Sequence, residues 1–270
     1  AGLPDPVTNT YNVLPDEFAD TCKEMVKYGA KVLGGCCGTT PAYVAKLKEM
    51  VATVNTSVVK KKTRQLAVCT PLKTVVVDQP RIVSERINPT GKKRFKQALR
   101  DNDMNYILSQ AIEQIDAGAD ILDVNVGSPD IDEKEMMVKV IKALQAIVDV
   151  PLQIDSTKPE VLEAALRVYN GKPIVNSVNG EEEVLDTILP IVAKYGGAVI
   201  GLALDENGIP PTAEGRVEIA KRIRDKAMSY GIPKEDIIID CLTLTVSAEQ
   251  KAAAETLKAM NIVKNELGLR

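Results

Sequence analysis

The sequence predicts an α/β protein built on a TIM-type (β/α)8 barrel, of which six consecutive strand–helix units are legible. Three observations carry this. Short apolar runs alternate with segments of helical period, and such alternation implies parallel strands, since each crossover needs a helix to return the chain. Glycines separate helix from strand in YGAKVLGG, AGADILDVN and YGGAVIGLAL, as an αβ loop favours. Finally, three successive apolar runs end in small polar signatures: Asp123–Asn125, Asp155–Thr157 and Asn176–Ser177. In a parallel barrel the C-terminal strand ends open on one face, which carries the chemistry.

Residues 1–14 are rich in Pro and Asn and read as a loop. A helix follows from about Pro15, with Phe18, Cys22, Met25 and Val26 on one face and Gly29 as its stop. Ala30–Leu33 reads as a short strand running into GGCCGTTP. Pro41 then opens a helix expected to bury Val44, Leu47 and Val51. One strand and two helices enclose too little core to stand alone. This segment reads as the C-terminal piece of a second (β/α)8 barrel.

Residues 56–80 break the pattern and, with Lys60–Lys62, read as a solvated linker. A strand at 81–84 and a helix at about 103–116 begin the main barrel. Strands at 120–124, 151–155, 173–176, 198–204 and 236–240 follow. Their helices fall at about 132–147, 158–169, 181–194, 214–229 and 247–266. Val138, Ile141, Leu144 and Ile147 recur along one helical face, as do Val161, Leu162, Ala165 and Leu166. A closed barrel has eight units, so this one reads as truncated, with both ends of the chain cut.

Composition bounds the function. A net charge of −3 with 26% charged residues gives no reason to expect nucleic acid or an anionic membrane as partner. No apolar run reaches membrane-span length, no signal-peptide pattern opens the chain, and five cysteines make no disulfide framework at 270 residues. A cytoplasmic home is expected. There is no histidine, so no imidazole serves as base or ligand, and without Trp an aromatic stacking platform is not expected.

Asp and Asn at strand ends also cap helices, and Asp132 and Ser156 or Thr157 are cap candidates. Three polar signatures in series point beyond capping to a ligand site, without saying which ligand. Cys36–Cys37 is the only close cysteine pair. Adjacent cysteines seldom bridge, so the pair reads either as two core thiols or as two thiolates sharing a soft metal such as zinc.

The flanking residues carry a resemblance. GGCCGTTP at Gly34–Pro41 resembles the terminal motif of the homocysteine-binding barrel in the cobalamin-dependent methionine synthase family, where the paired cysteines ligate zinc. The family's third cysteine precedes a stretch resembling AGLPDP, where this sequence starts. SERINPTGKKRFK at Ser84–Lys96 is similar to the opening of the same family's pterin-binding barrel, with Ser84 where Gly is usual. DVNVG, IDST, IVNS and IIID then follow in the family's order. IDST alone would be shared with dihydropteroate synthases and corrinoid-protein methyltransferases.

The resemblance implies a homocysteine-barrel segment at 1–55, a linker at 56–80 and an incomplete pterin (methyltetrahydrofolate) barrel at 81–270. It implies that Asp155, Asn176 and Asp240 hydrogen-bond the pterin ring, that Asn88 lines the same site, and that Asp123 and Asn125 support it. Cys36 and Cys37 would be two of three zinc ligands. Cys241 follows Asp240 where Pro is common, a departure that affects this loop. No catalytic residue is assigned, because the family's asparagine near the methyl-bearing nitrogen would fall after Arg270.

The implied reaction is methyl transfer from 5-methyltetrahydrofolate to cob(I)alamin and onward, through methylcobalamin, to zinc-bound homocysteine. Cobalamin would be carried on another corrinoid-binding module or protein. The alternatives are a methyltetrahydrofolate:corrinoid protein methyltransferase, against which GGCCGTTP argues, and a non-catalytic pterin-binding module.

Overall fold

The computed structural model describes residues 2–54, 64–244 and 250–270. The chain divides into two compact units, Ala1–Thr63 and Arg64–Arg270.

In the first unit, α1 (Pro15–Lys27) and α2 (Pro41–Thr53) both start on proline, whose fixed φ suits the first helical turn. Ala19, Cys22, Leu47 and Met50 form a small core, and Phe18 meets the Tyr43 ring edge-on at 5.6 Å. Three expectations change here. Ala30–Leu33 forms no strand, and Val32 is 93% exposed. An extended segment needs a neighbouring strand to satisfy its backbone, and none of the described residues of this unit supplies one. The buried face of α2 is Tyr43, Leu47 and Met50, while Val44 and Val51 are exposed. The helix is rotated by one residue because Tyr43 is held from both sides, by Phe18 and by its hydroxyl donating to Val13 O at 2.6 Å. On α1, Ala19 is buried and Met25 exposed.

The second unit begins inside the expected linker. Strands β1 (Ala67–Cys69) and β2 (Thr74–Val76) form an antiparallel hairpin. Leu66, Val68 and Val75 from this hairpin pack with Ile121, Ile174 and Ala198, plugging the N-terminal end of the barrel. Cys69 and Lys172 exchange both backbone hydrogen bonds at 3.0 Å. Beside them Gly171 has φ +139°, and a Cβ there would lie 2.1 Å from Cys69 O, so only glycine permits the approach.

Six parallel strands follow in sequential order among the described residues: β3 (Val83–Ile87), β4 (Ile121–Val124), β5 (Leu152–Asp155), β6 (Ile174–Val178), β7 (Ala198–Leu202) and β8 (Ile237–Asp240). The helices α3 (Lys93–Arg100), α4 (Met104–Asp116), α5 (Glu133–Ile147), α6 (Pro159–Val168), α7 (Glu182–Tyr195), α8 (Ala213–Ser229) and α9 (Gln250–Asn265) cover the outside. α3 was not expected. Its KRFKQALR sequence shows few apolar residues, of which Phe95, Ala98 and Leu99 are fully packed inside.

Strand residues alternate between two environments, as pleating requires. Leu122, Val124, Leu152, Ile154, Val175 and Val199 face the helices in the large core. Each buried side chain of this kind contributes about 1.5–3 kcal/mol relative to exposure. On α5 the buried set is Met136, Met137, Val140, Ile141 and Leu144, whereas Val138 is half-buried and Ile147 exposed. Val161, Leu162, Ala165 and Leu166 of α6 are all buried. Asp132 caps α5 by accepting the Glu135 N–H at 2.9 Å. Ser156 takes the Lys158 N–H at 3.2 Å, while Lys158 itself stands at the N-cap position.

Candidate functional site at the barrel mouth

Along the barrel axis the interior changes character. At the hairpin end, Ile121, Ile174 and Ala198 make an apolar floor. Two residues further along β4 and β6, on the same strand face, stand Asp123 and Asn176, with Gln153 between them on β5. Gln153 Nε2 donates to Asp123 Oδ1 at 2.6 Å, and Asn176 Nδ2 reaches the same oxygen at 3.4 Å. One step higher, Asn125 Nδ2 donates to Asp155 Oδ2 at 2.8 Å, while its own Oδ1 accepts the Gly127 N–H at 2.8 Å.

Asp123 is 2% exposed, and its Oδ2 has no partner among the described residues. Burial, reinforced by the Asp155 carboxylate, pushes its carboxyl up to about 7, although the Gln153 and Asn176 amides oppose the shift. Asp155 is raised in the same direction by burial, against the Asn125 hydrogen bond, with Glu85 and Glu133 adding repulsion. Glu85 and Glu133 therefore belong to the same electrostatic setting. Glu133 accepts from the Ser156 hydroxyl at 2.6 Å and pairs with Lys158 at 2.9 Å.

Asn88 is buried after β3. Its Nδ2 donates to Glu85 Oε1 at 2.7 Å and its Oδ1 accepts the Thr90 N–H at 2.8 Å. Asp240 ends β8, exposed, with Oδ1 accepting the Leu242 N–H at 2.8 Å. The structure thus pairs Asn125 with Asp155 and Asn176 with Asp123 on β4, β5 and β6, and places Asn88 just after β3 and Asp240 at the end of β8. Glu85 and Gln153 were missed in the sequence. Gln153 lies two residues before Asp155 and so on its face, a periodicity that could have found it.

The mouth is rich in acceptors, and the lysines beside it, Lys158 and Lys92, are engaged by Glu133 and by the Glu85 carbonyl. Carboxylates beside amides suit a neutral ring bearing several N–H donors: a carboxylate accepts two of them, and an amide reads an adjoining donor–acceptor edge. A cleft of about 400 Å³ at the opposite end, lined by Thr70, Ile147 and Tyr169, gathers no comparable set of groups.

Residues 84–270 match the family model described as pterin binding enzyme. The chain belongs to that family. Residues 1–51 match the model for homocysteine S-methyltransferase. Methionine synthases of Mycobacterium leprae and Mycobacterium tuberculosis are each 32% identical over 272 residues, covering 94% of this chain. The chain spans 23% and 22% of those two proteins, and both family matches fit a methionine synthase segment. Among solved structures, a dihydropteroate synthase of Xanthomonas albilineans superposes with TM-score 0.58 at 21% identity, covering 76% of this chain and 75% of that one. The Thermus thermophilus enzyme gives 0.56 at 22%, covering 73% of each. The fold is the pterin-binding TIM barrel, carrying six parallel strands among the described residues.

In the first unit, Cys36 and Cys37 are exposed, with their Sγ atoms 3.7 Å apart. Two sulfurs bound tetrahedrally at about 2.3 Å from zinc would stand about 3.8 Å apart, so the pair fits one edge of such a site. The Cys37 backbone N–H and, next, its thiol lower the Cys36 thiol pKa. Glycines shape the turn: a Cβ on Gly35 would meet Thr39 Oγ1 at 2.2 Å, and Gly38, at φ +78°, lies against the Tyr11 ring. Among the described residues, no cluster of three metal-ligating side chains is present. No described helix is long and apolar enough to cross a membrane.

Proposed function

We propose that the barrel mouth binds the pterin ring of 5-methyltetrahydrofolate and that the protein takes part in folate-dependent methyl transfer of the methionine synthase type. The observation that carries this reading is the chain of polar side chains on consecutive strand ends above an apolar floor, in a chain whose curated relatives are methionine synthases.

Asp155 is the anchor. One of its oxygens is fixed by Asn125, and the other is directed to the amino-pyrimidine edge of the ring. Asn176 and Asn88 read the adjoining donor–acceptor edge, and Asp240 closes the ring of contacts from β8. Asp123, itself fixed by Gln153, lies beneath and accepts from the Asn176 amide nitrogen, which leaves the Asn176 carbonyl to face ligand N–H groups. A methyl group on a tertiary amine is a poor electrophile until its nitrogen gains a proton or a strong hydrogen bond. The work of this barrel is therefore positioning, together with acid help at that nitrogen.

The acceptor is a corrinoid carried on another module or protein, and it supplies the strong nucleophile. Zinc, held in part by Cys36 and Cys37, would lower the thiol pKa of homocysteine and keep it as thiolate. The match of residues 1–51 to homocysteine S-methyltransferases favours methionine formation over a methyltransferase serving a corrinoid protein alone.

The test is transfer of a labelled methyl group from 5-methyltetrahydrofolate to free cob(I)alamin. Label appearing on cobalt is the expected outcome. Folate binding without transfer would leave a pterin-binding module and contradict the catalytic reading.

A further inference from the structure

Arg216, on the first turn of α8, is 1% exposed and is among the largest fully buried side chains described. Its Nη1 donates to Cys241 O at 2.9 Å, Leu242 O at 3.0 Å and Thr256 Oγ1 at 2.6 Å, and its Nε donates to Pro210 O at 3.0 Å. These partners are carbonyl and hydroxyl oxygens. Glu255, occupied by Lys258 and the Ala213 N–H, feels the guanidinium only as a minor influence. Burying a guanidinium costs a great deal unless its donors are satisfied, so the contacts hold the segment after β8 firmly.

That segment carries an unusual backbone. Leu242 has φ +58°, a conformation that side-chain-bearing residues seldom adopt unless their surroundings impose it. Its carbonyl accepts from Arg216 Nη1, and the Thr256 hydroxyl lies 3.0 Å from it and from Ala252 O, sharing its one proton between them. Its N–H is the group that grips Asp240 Oδ1. The buried cation and the exposed carboxylate are thus linked through one peptide segment.

We propose that Arg216 is a positioning residue for Asp240: by clamping the carbonyls of Cys241 and Leu242 it sets the Leu242 N–H that aims the Asp240 carboxylate at the ligand. The inference rests on the pterin-binding reading above and adds to it a residue that never touches the ligand.

The test is a double-mutant cycle on the affinity for 5-methyltetrahydrofolate, measured calorimetrically with Arg216→Met, Asp240→Asn and both together. Arg216→Met should weaken binding about tenfold alone and add nothing once Asp240 is replaced, with Arg216→Lys recovering part of the loss. The same fold-loss in both backgrounds would mean a merely structural role and would overturn the proposal. If Arg216→Met does not fold, Thr256→Val carries the same cycle with a smaller loss. Without ligand, Leu242 amide exchange should quicken in either variant, and unchanged exchange would also overturn it. Wild-type-like binding by Asp240→Asn would sink the inference while leaving a dependence on Asp155 intact. Absence of binding by the unmodified protein would instead remove the pterin reading itself.

Discussion

The barrel mouth and the Cys36–Cys37 turn both offer groups suited to ligands, but on different supports. At the mouth, Asp123 and Asp155 are each fixed by a neighbouring amide, over a floor of packed side chains. The cysteines stand exposed on a glycine-shaped turn beside a small core of Ala19, Cys22, Leu47 and Met50. Preorganisation therefore differs more than chemistry does. The mouth is held by side-chain hydrogen bonds already made, whereas the turn presents two exposed thiols.

The sharpest way to break this contrast is to remove the floor. Leu66→Ala opens a cavity in the hairpin plug, and large-to-small changes of this kind cost about 2–5 kcal/mol. Denaturant unfolding should show that loss in the barrel unit. A loss below about 0.5 kcal/mol would return residues 64–76 to the status of a linker.

A comparable effect concerns Asp123. Its folded pKa lies near 7, above the ordinary carboxylate value, so the stability it supports is full below about pH 4 and is lost as pH rises through about 7. Asp123→Asn should flatten that decline, which is on the order of 4 kcal/mol. Identical pH–stability curves for the two proteins would show that Asp123 is not buried as a strained carboxyl.

Asn176→Ala tests orientation against anchoring. Binding should weaken about threefold while single-turnover methyl transfer slows about thirtyfold, because small misplacements lower rate more than affinity. Equal losses would assign Asn176 to uniform binding. The smallest effect is at the cysteines. With two thiolates from this pair, zinc should be held weakly and be lost to a mild chelator, and Cys36→Ala should remove what remains. A full zinc equivalent surviving dialysis would reveal a third ligand beyond this pair.

Much of the barrel was legible because its strands are short apolar runs and its helices obey one period. The polar ends of β4, β5 and β6 stood out for the same reason. The hairpin was not legible: QLAVCTPLKTVVV beside a basic run looks solvated until its partners Ile121, Ile174 and Ala198 are in place. The α2 face was misread by one residue because Tyr43 anchors through its hydroxyl, which apolar periodicity ignores. Glu85 and Arg216 escaped because charged residues on a strand or helix ordinarily face solvent, and only tertiary contacts show otherwise.

Asp155 is proposed to anchor a pterin at this mouth. Calorimetric titration of 5-methyltetrahydrofolate into the protein and into Asp155→Asn tests it most directly. Loss of one charge-assisted hydrogen bond predicts about 1.5–3 kcal/mol, or ~10- to 150-fold weaker binding, with the fold unchanged. Equal affinity in the two proteins would contradict it.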